Sequence, residues 1–313
     1  MRILIYGAGV IGSIFAGKLS QASNDVTVLA RGKRLSEIKK DGIILRLANK
    51  NRTEKSHVKL IEKLLPNDLY DYIFVVMQKT QIDDVLTAIS ENRSRNIIFI
   101  VNNALGYDKW ISVIGKERLM IGFPSAGGER VEGVVNYFIG KGLIRSFQTT
   151  TFGECTGGAT LRVKEVIATF NRAGIPSISC NNMDAWQKTH VAMVTSIANI
   201  LYKYNGDNYN LAKSFSDIQL MIRGIKEGFA VLKELGYPVT PAKLNFFKLQ
   251  TFLLSCVFKP IMGTKLAETT MAKHTVAAKT EMKCLQEEFN KLITQSGLKT
   301  PAIDILETYI FNS

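Results

Sequence analysis

The sequence predicts an α/β protein, with an N-terminal doubly wound parallel sheet followed by an all-helical C-terminal domain, and three observations carry that expectation. Short β-branched runs alternate with amphipathic stretches through the first half, as parallel strands covered by helices do. The first run leads straight into a glycine-rich turn, Gly7-Ala8-Gly9-Val10-Ile11-Gly12. Beyond Asn181 no convincing strand remains and apolar residues recur at helical spacing.

In order along the chain, strands are expected at 2–6, 25–30, 72–77, 96–101 and 119–123, with amphipathic helices at 10–23 and 82–91 between them. From 134 to 153 the pattern turns to alternation rich in Thr, Phe and Gly, which suits an antiparallel addition at the sheet edge. A helix over 161–172 and a strand over 176–179 complete the first part. The second part reads as helices at 184–203, 214–235, 241–258, 275–296 and 301–311. Asn205-Gly206-Asp207, Gly236-Tyr237-Pro238 and Gly297 separate them, and Gly236 and Gly297 sit where C-terminal caps belong. Pro241 and Pro301 suit first-turn positions. At 313 residues the chain is long for one core, so two domains are expected, 1–180 and 181–313.

Composition narrows the function classes. There are 40 Lys and Arg against 27 Asp and Glu, a formal charge of +13, so the surface attracts anions. The densest basic run, 31–40, has no interleaved aromatic residue, and no nucleic-acid partner is expected. Cys155, Cys180, Cys256 and Cys284 lie far apart without metal-ligand spacing, so neither a metal site nor a disulfide frame is expected. No apolar run reaches bilayer length, and the apolar stretch over 3–16 is broken by the glycines of the turn and lacks a cleavage site. A cytoplasmic protein with no membrane partner, monomeric or homodimeric, is the expectation.

The glycine turn has the context that makes this motif informative, a strand before it and a helix after it. Gly7 makes the tight turn, Gly9 lets a pyrophosphate approach the backbone, and Gly12 lets helix and strand pack closely. The helix beginning at Val10 and Ile11 offers N–H donors and a partial positive charge. This is the fingerprint of a Rossmann-type dinucleotide site. The second strand ends in Arg31, with Lys33 and Arg34 following, where NAD sites carry an acid; a guanidinium there suits the 2′-phosphate of NADP(H). The small residues of 124–128, including Gly128, either let the cofactor approach or shape a tight connection.

These residues, with Asn103-Ala104-Leu105-Gly106 after the 96–101 strand, Trp186-Gln187-Lys188 opening the second domain and Thr280-Glu281 in a late helix, resemble the ketopantoate reductase family from Met1 to the last helix. The resemblance implies a substrate held between the two domains and NADPH-dependent reduction of a 2-oxo acid to a 2-hydroxy acid. Ketopantoate to pantoate, a step toward pantothenate and coenzyme A, or a related substrate is implied. Lys188 would protonate the developing alkoxide, Glu281 would contact the cofactor ribose or the lysine, and Asn103 would reach the nicotinamide side.

The chain departs from the family at several positions. The Lys-x-x-Gln after the third strand appears as Gln78-Lys79-Thr80-Gln81, so either Gln78 or Lys79 takes the cofactor-side role. Ala192 and Ser196 stand where the family places asparagines, and Thr269 where it places a serine. Helical spacing puts Lys188, Ala192, Thr195, Ser196 and Asn199 on one face, so Ser196 and Asn199 are expected substrate contacts, and the resemblance implies Thr269 as a further one. His190 lies on another side of that helix and reads as a packed or exposed side chain. The alternative is a non-catalytic NADPH-binding sensor or partner protein that has lost its substrate pocket.

Overall fold

The run Ile3-Leu4-Ile5 is apolar on both faces, as a strand covered by helices on either side must be, and all three side chains are buried in β1 (Arg2–Tyr6). The computed structural model describes residues 1–47, 53–140 and 149–312, and the chain divides into two units. One comprises Met1–Val101 and Tyr107–Met183; the other comprises Asn102–Gly106 and Asp184–Ser313.

In the first unit β1 is followed by α1 (Val10–Gln21), β2 (Asp25–Leu29), α2 (Gly32–Asp41), β3 (Ile43–Leu47), β4 (Thr53–Ser56), β5 (Lys59–Ile61) and β6 (Tyr72–Val76). Then come α3 (Leu86–Glu91), β7 (Ile97–Ile100), α4 (Asp108–Ile114), β8 (Leu119–Phe123), β9 (Ala126–Val131), β10 (Val134–Ile139), β11 (Thr150–Glu154), α5 (Leu161–Arg172) and β12 (Ser177–Ser179). Eight strands form one sheet in the order β12-β11-β8-β7-β6-β1-β2-β5. The chain moves outward from β1 to β2 and β5, then returns to β6 on the other side of β1. That reversal is the switch point at which doubly wound sheets bind ligands beyond the carboxyl ends of their strands. The glycine turn leaves β1 there, and Gln78-Lys79 leaves β6 there.

A second sheet, ordered β4-β3-β10-β9, differs from the single edge addition expected over 134–153. Val134–Ile139 pairs with β3 and β9 in this sheet, while Thr150–Glu154 enters the main sheet antiparallel to β8. The expected connection at 124–128 is largely strand, because Ala126-Gly127-Gly128 opens β9. A Cβ at Gly128 would lie 2.0 Å from the Asn136 carbonyl oxygen, and one at Gly127 would lie 2.7 Å from the Phe138 ring. Strand pairing therefore accounts for both glycines. The basic run at 31–40 is α2, whose buried face is Arg34 and Ile38.

The second unit contains α6 (Met183–Lys203), α7 (Asn208–Lys213), α8 (Phe215–Glu234), a 3₁₀ segment (Ala242–Lys248), α9 (Thr251–Met262), α10 (Lys265–Ala267), a π-turn (Glu268–Ala272), α11 (Lys273–Ala277), α12 (Lys279–Ser296) and α13 (Pro301–Phe311). The expected single helix over 241–258 is thus a 3₁₀ segment and a separate helix. The segment 205–207 is a turn, with Asn205 and Gly206 at positive φ and the Asp207 carboxylate accepting the Asn210 N–H at 2.9 Å to start the unexpected α7. Packing centres on α8, which meets α9, α12 and α13 around Met221, Ile222, Leu285, Phe289 and Leu306. Pro301 occupies the first turn of α13, and the Glu227 carboxylate accepts the N–H groups of Ala302 and Ile303, where an acid best complements a helix start.

Small residues set the approach of α6 to α8. A Cβ added at Gly228 would lie 2.9 Å from the Ala192 Cβ, and one added at Gly224 would lie 3.0 Å from the Ser196 Oγ. Ala192 and Ser196 are one helical turn apart, as are Gly224 and Gly228, so two small pairs face one another. Among the described residues no helix is long and apolar enough to cross a membrane.

Candidate active site

The glycine turn is built by exclusion of side chains. Gly7 has φ +119, and a Cβ there would meet the Val76 carbonyl oxygen at 2.3 Å; one at Gly12 would meet the Gly7 oxygen at 1.9 Å. Gly9 behaves differently, since a Cβ there meets nothing within 4 Å. It is the N-cap of α1, in extended conformation, and is exposed. Two glycines thus serve the packing of β1, β6 and α1, and the third keeps the approach to the helix N-terminus clear. These residues fit a dinucleotide: a bare backbone at Gly9, the unpaired N–H groups of the first turn of α1 and their partial positive charge suit a pyrophosphate.

The basic residues of α2 point two ways. Arg31 is the exposed N-cap of α2, with its Nε 3.4 Å from the Glu62 carbonyl oxygen, and Lys33 is exposed. Arg34 turns inward. It donates to the carbonyl oxygens of Ala8 and Gly133 at 3.2 Å, to the Ser13 hydroxyl at 2.9 Å and to Glu37 at 3.1 Å. Burial lowers its affinity for the proton, and the Glu37 hydrogen bond opposes that shift. After β6, Gln78 and Gln81 cap the short turn Lys79–Gln81 reciprocally, and the Lys79 ammonium lies 4.6 Å from the centre of the Trp110 ring.

A second group of polar side chains lies within the helical unit. Lys188 on α6 forms an ion pair with Asp184 one turn earlier, and its ammonium stands 4.5 Å from the centre of the Tyr237 ring. Its side chain is 3% exposed against 28% for Asp184, so the cation is buried and its partner reaches solvent. A Cβ at Gly106 would lie 3.7 Å from the Asp184 carboxylate and 3.8 Å from the Lys188 ammonium. The segment carrying Gly106 is held by two acids of α12: Glu288 accepts the Ala104 N–H at 3.0 Å and Glu281 accepts the Asn102 amide at 3.4 Å. These acids are seven residues apart, two turns along one face. Asn103 is buried and donates to the Gly106 carbonyl at 2.7 Å, closing the segment on itself.

Residues 3–149 match the family model Ketopantoate reductase PanE/ApbA. The 2-dehydropantoate 2-reductase of Pyrococcus horikoshii is 28% identical over 253 residues, 78% of this chain and 78% of that protein. The uncharacterized oxidoreductase YkpB of Bacillus subtilis is 24% identical over 253 residues, 77% of this chain and 78% of its own. Among solved structures, 2-dehydropantoate 2-reductase from Geobacter metallireducens has a TM-score of 0.80 at 19% identity, covering 100% of this chain and 99% of that one. D-mandelate dehydrogenase, in its ternary structure with NADH and anilino(oxo)acetate, has a TM-score of 0.78 at 16% identity, covering 100% and 97%. The chain is therefore similar to ketopantoate reductases in sequence and shares its fold with 2-dehydropantoate 2-reductase and with D-mandelate dehydrogenase.

The expected substrate contacts fall in different places. The Ser196 hydroxyl bonds back to the Ala192 carbonyl at 3.1 Å and its Cβ side faces Gly224, so helix packing uses it. Asn199 is 1% exposed; its amide nitrogen donates to Gln286 at 2.8 Å, while its side-chain oxygen is buried with no hydrogen-bond partner in the described structure. Thr269 lies in the π-turn and bonds to the Lys265 carbonyl. His190 stacks on Trp186 with ring centres 5.4 Å apart. Sequence reasoning did not single out Asp184, Tyr237, Asn102 or Glu288. Asp184 carried the one legible signal, an acid four residues before Lys188 on a predicted helix; the others come together only in three dimensions.

Proposed function

We propose that this chain is an NADPH-dependent member of the ketopantoate reductase family that reduces a 2-oxo acid to the 2-hydroxy acid, with Lys188 as proton donor. The observation that carries the reading is the buried Lys188 ammonium. Lysines are almost never this enclosed unless paired, and here Asp184 and Tyr237 hold the side chain at one end of a polar cluster that includes Glu281, Asn102 and Asn103.

A bound dinucleotide would supply the hydride for the ketone carbon. Residues 7–12 and the start of α1 would hold its pyrophosphate, Arg31 its 2′-phosphate, and Gln78 or Lys79 would take the cofactor-side role beyond β6. Lys188 offers positive charge to the ketone oxygen as it becomes an alkoxide and then gives it a proton. Asp184 orients the ammonium by holding it from the neighbouring turn. Glu281 steadies the 102–106 segment and would contact the cofactor ribose or the lysine. Asn199 presents an acceptor and Thr269 a hydroxyl to the substrate. Ketopantoate is the first substrate to try; the packing of Ala192 and Ser196 against α8, where the family has asparagines, favours including other 2-oxo acids.

The test is absorbance loss of NADPH and NADH in parallel with ketopantoate and a set of alkyl and aryl 2-oxo acids. Turnover of at least one acid, faster with NADPH, is expected. Tight NADPH binding without turnover of any acid would replace this reading with that of a non-catalytic dinucleotide-binding protein.

A further inference from the structure

We propose that Arg34 is a positioning residue of the dinucleotide turn, orienting the Ala8–Gly9 peptide so that the Gly9 N–H faces the pyrophosphate. This rests on the reading of residues 7–12 as a dinucleotide site. Arg34 is 8% exposed, whereas Arg31 and Lys33 on the same helix start are exposed, so the run of basic residues divides into outward and inward members.

The inward guanidinium closes a ring of hydrogen bonds. Its Nε donates to the Ala8 oxygen at 3.2 Å and its Nη2 to the Ser13 Oγ at 2.9 Å, while that same hydroxyl donates to the Ala8 oxygen at 3.2 Å. The Ala8 carbonyl thus receives two donors on one side. A trans peptide is planar, with C=O and N–H opposed, so holding the Ala8 oxygen inward turns the Gly9 N–H outward. Of the three glycines of the turn, Gly9 is the one with nothing near its Cβ position. The Nη1 donates to the Gly133 oxygen and to Glu37, which ties the ring to the β9–β10 turn. Only a planar fork of donors spans all of these acceptors; a lysine ammonium is a single point.

Arg31 and Arg34 therefore have separable effects, the first on the 2′-phosphate and the second on the pyrophosphate. The experiment titrates wild type, Arg34→Lys, Arg34→Met, Ser13→Ala and Arg31→Ala with NADPH, NADH and adenosine 2′-monophosphate, which carries the 2′-phosphate without a pyrophosphate. Arg34→Lys and Arg34→Met should weaken NADPH and NADH by the same factor, roughly tenfold, the size of one charge-assisted hydrogen bond. Their affinity for adenosine 2′-monophosphate should equal that of wild type, which a generally damaged fold would not preserve. Ser13→Ala, a small change that removes one corner of the ring, should shift both dinucleotides in the same direction. Arg31→Ala should instead weaken NADPH and adenosine 2′-monophosphate and spare NADH. Wild-type affinity in Arg34→Lys and Ser13→Ala, or a loss in the Arg34 variants confined to the two 2′-phosphorylated ligands, would overturn the proposal. Failure of wild type to bind either dinucleotide would instead overturn the dinucleotide reading itself.

Discussion

Asp184 and Lys188 form an ion pair across one turn of α6 in which the lysine is buried and the aspartate reaches solvent. Removal of the two partners has different expected results. Lys188→Ala deletes the proposed proton donor and should lower kcat by about 10²–10⁴-fold while dinucleotide affinity stays close to wild type. Asp184→Asn leaves the ammonium enclosed without its counter-charge and should destabilise the fold by roughly 1–3 kcal/mol, with a smaller fall in kcat. Steady-state kinetics and thermal melting on the two variants separate these effects. Equal kcat in Lys188→Ala and wild type would remove the lysine from the reaction.

The glycines of the turn should divide into two classes. Gly12→Ala places a Cβ 1.9 Å from the Gly7 oxygen, so loss of the folded protein or a large drop in melting temperature is expected even without ligand. Gly9→Ala meets no protein atom within 4 Å, so its apo melting temperature should match wild type and its deficit should show only in dinucleotide affinity. A Gly9→Ala protein that melts early without ligand would contradict this division.

Placing at position 192 the asparagine that ketopantoate reductases carry should harm the fold rather than build a substrate pocket. The Ala192 Cβ lies against Gly228, and overpacking at such a contact costs about 1–3 kcal/mol. Ala192→Asn should lower the denaturation midpoint and leave substrate preference unimproved. Improved KM for ketopantoate at unchanged stability would show that the side chain has room elsewhere.

Acid sensitivity should trace in part to Asp217. Burial pushes its carboxyl upward, but hydrogen bonds with Lys203, Tyr204 and Ser214 outweigh that, and the net shift is downward; both carboxylate oxygens accept from Lys203 at 2.8 Å. A carboxyl with a lowered folded pKa binds its proton less readily than the unfolded chain, whose value is about 3.9. Its stabilisation is complete above that value and disappears as the pH falls through the lower folded value. Asp217→Asn should cost roughly 1–2 kcal/mol at neutral pH, and its melting curve should converge on that of wild type in acid. A pH-independent difference between the two would assign the loss to packing.

Much of the architecture was legible because the period of the sequence changes with the structure. Ile3–Ile5 and Ile97–Ile100 are short, β-branched and apolar without interruption, as enclosed strands are, and Gly297 ends its helix in the left-handed conformation. The second sheet was not legible. Thr53–Ser56 is Thr-Glu-Lys-Ser and β9 begins Ala-Gly-Gly, so neither shows the β-branched alternation by which a strand is recognised; their partners supply the reason for their shape. The candidate site divided similarly. Gly7, Gly9 and Gly12 announce themselves by local geometry and Arg31 by its place at the end of the second strand, but nothing in the sequence shows that Arg34, three residues on, turns inward; its burial does. Lys188 was anonymous apart from the family resemblance, and Glu288 acquires a role only because Ala104, 184 residues earlier, brings its N–H to it.

The assignment of Asn102–Gly106 to the helical unit makes that unit a discontinuous module. A fragment beginning at Asp184 would carry every helix yet leave Glu288 without the Ala104 N–H and Glu281 without the Asn102 amide. Dissecting this chain at the 183/184 junction therefore yields an incomplete part, and any chimaera that exchanges the helices must exchange these five residues with them.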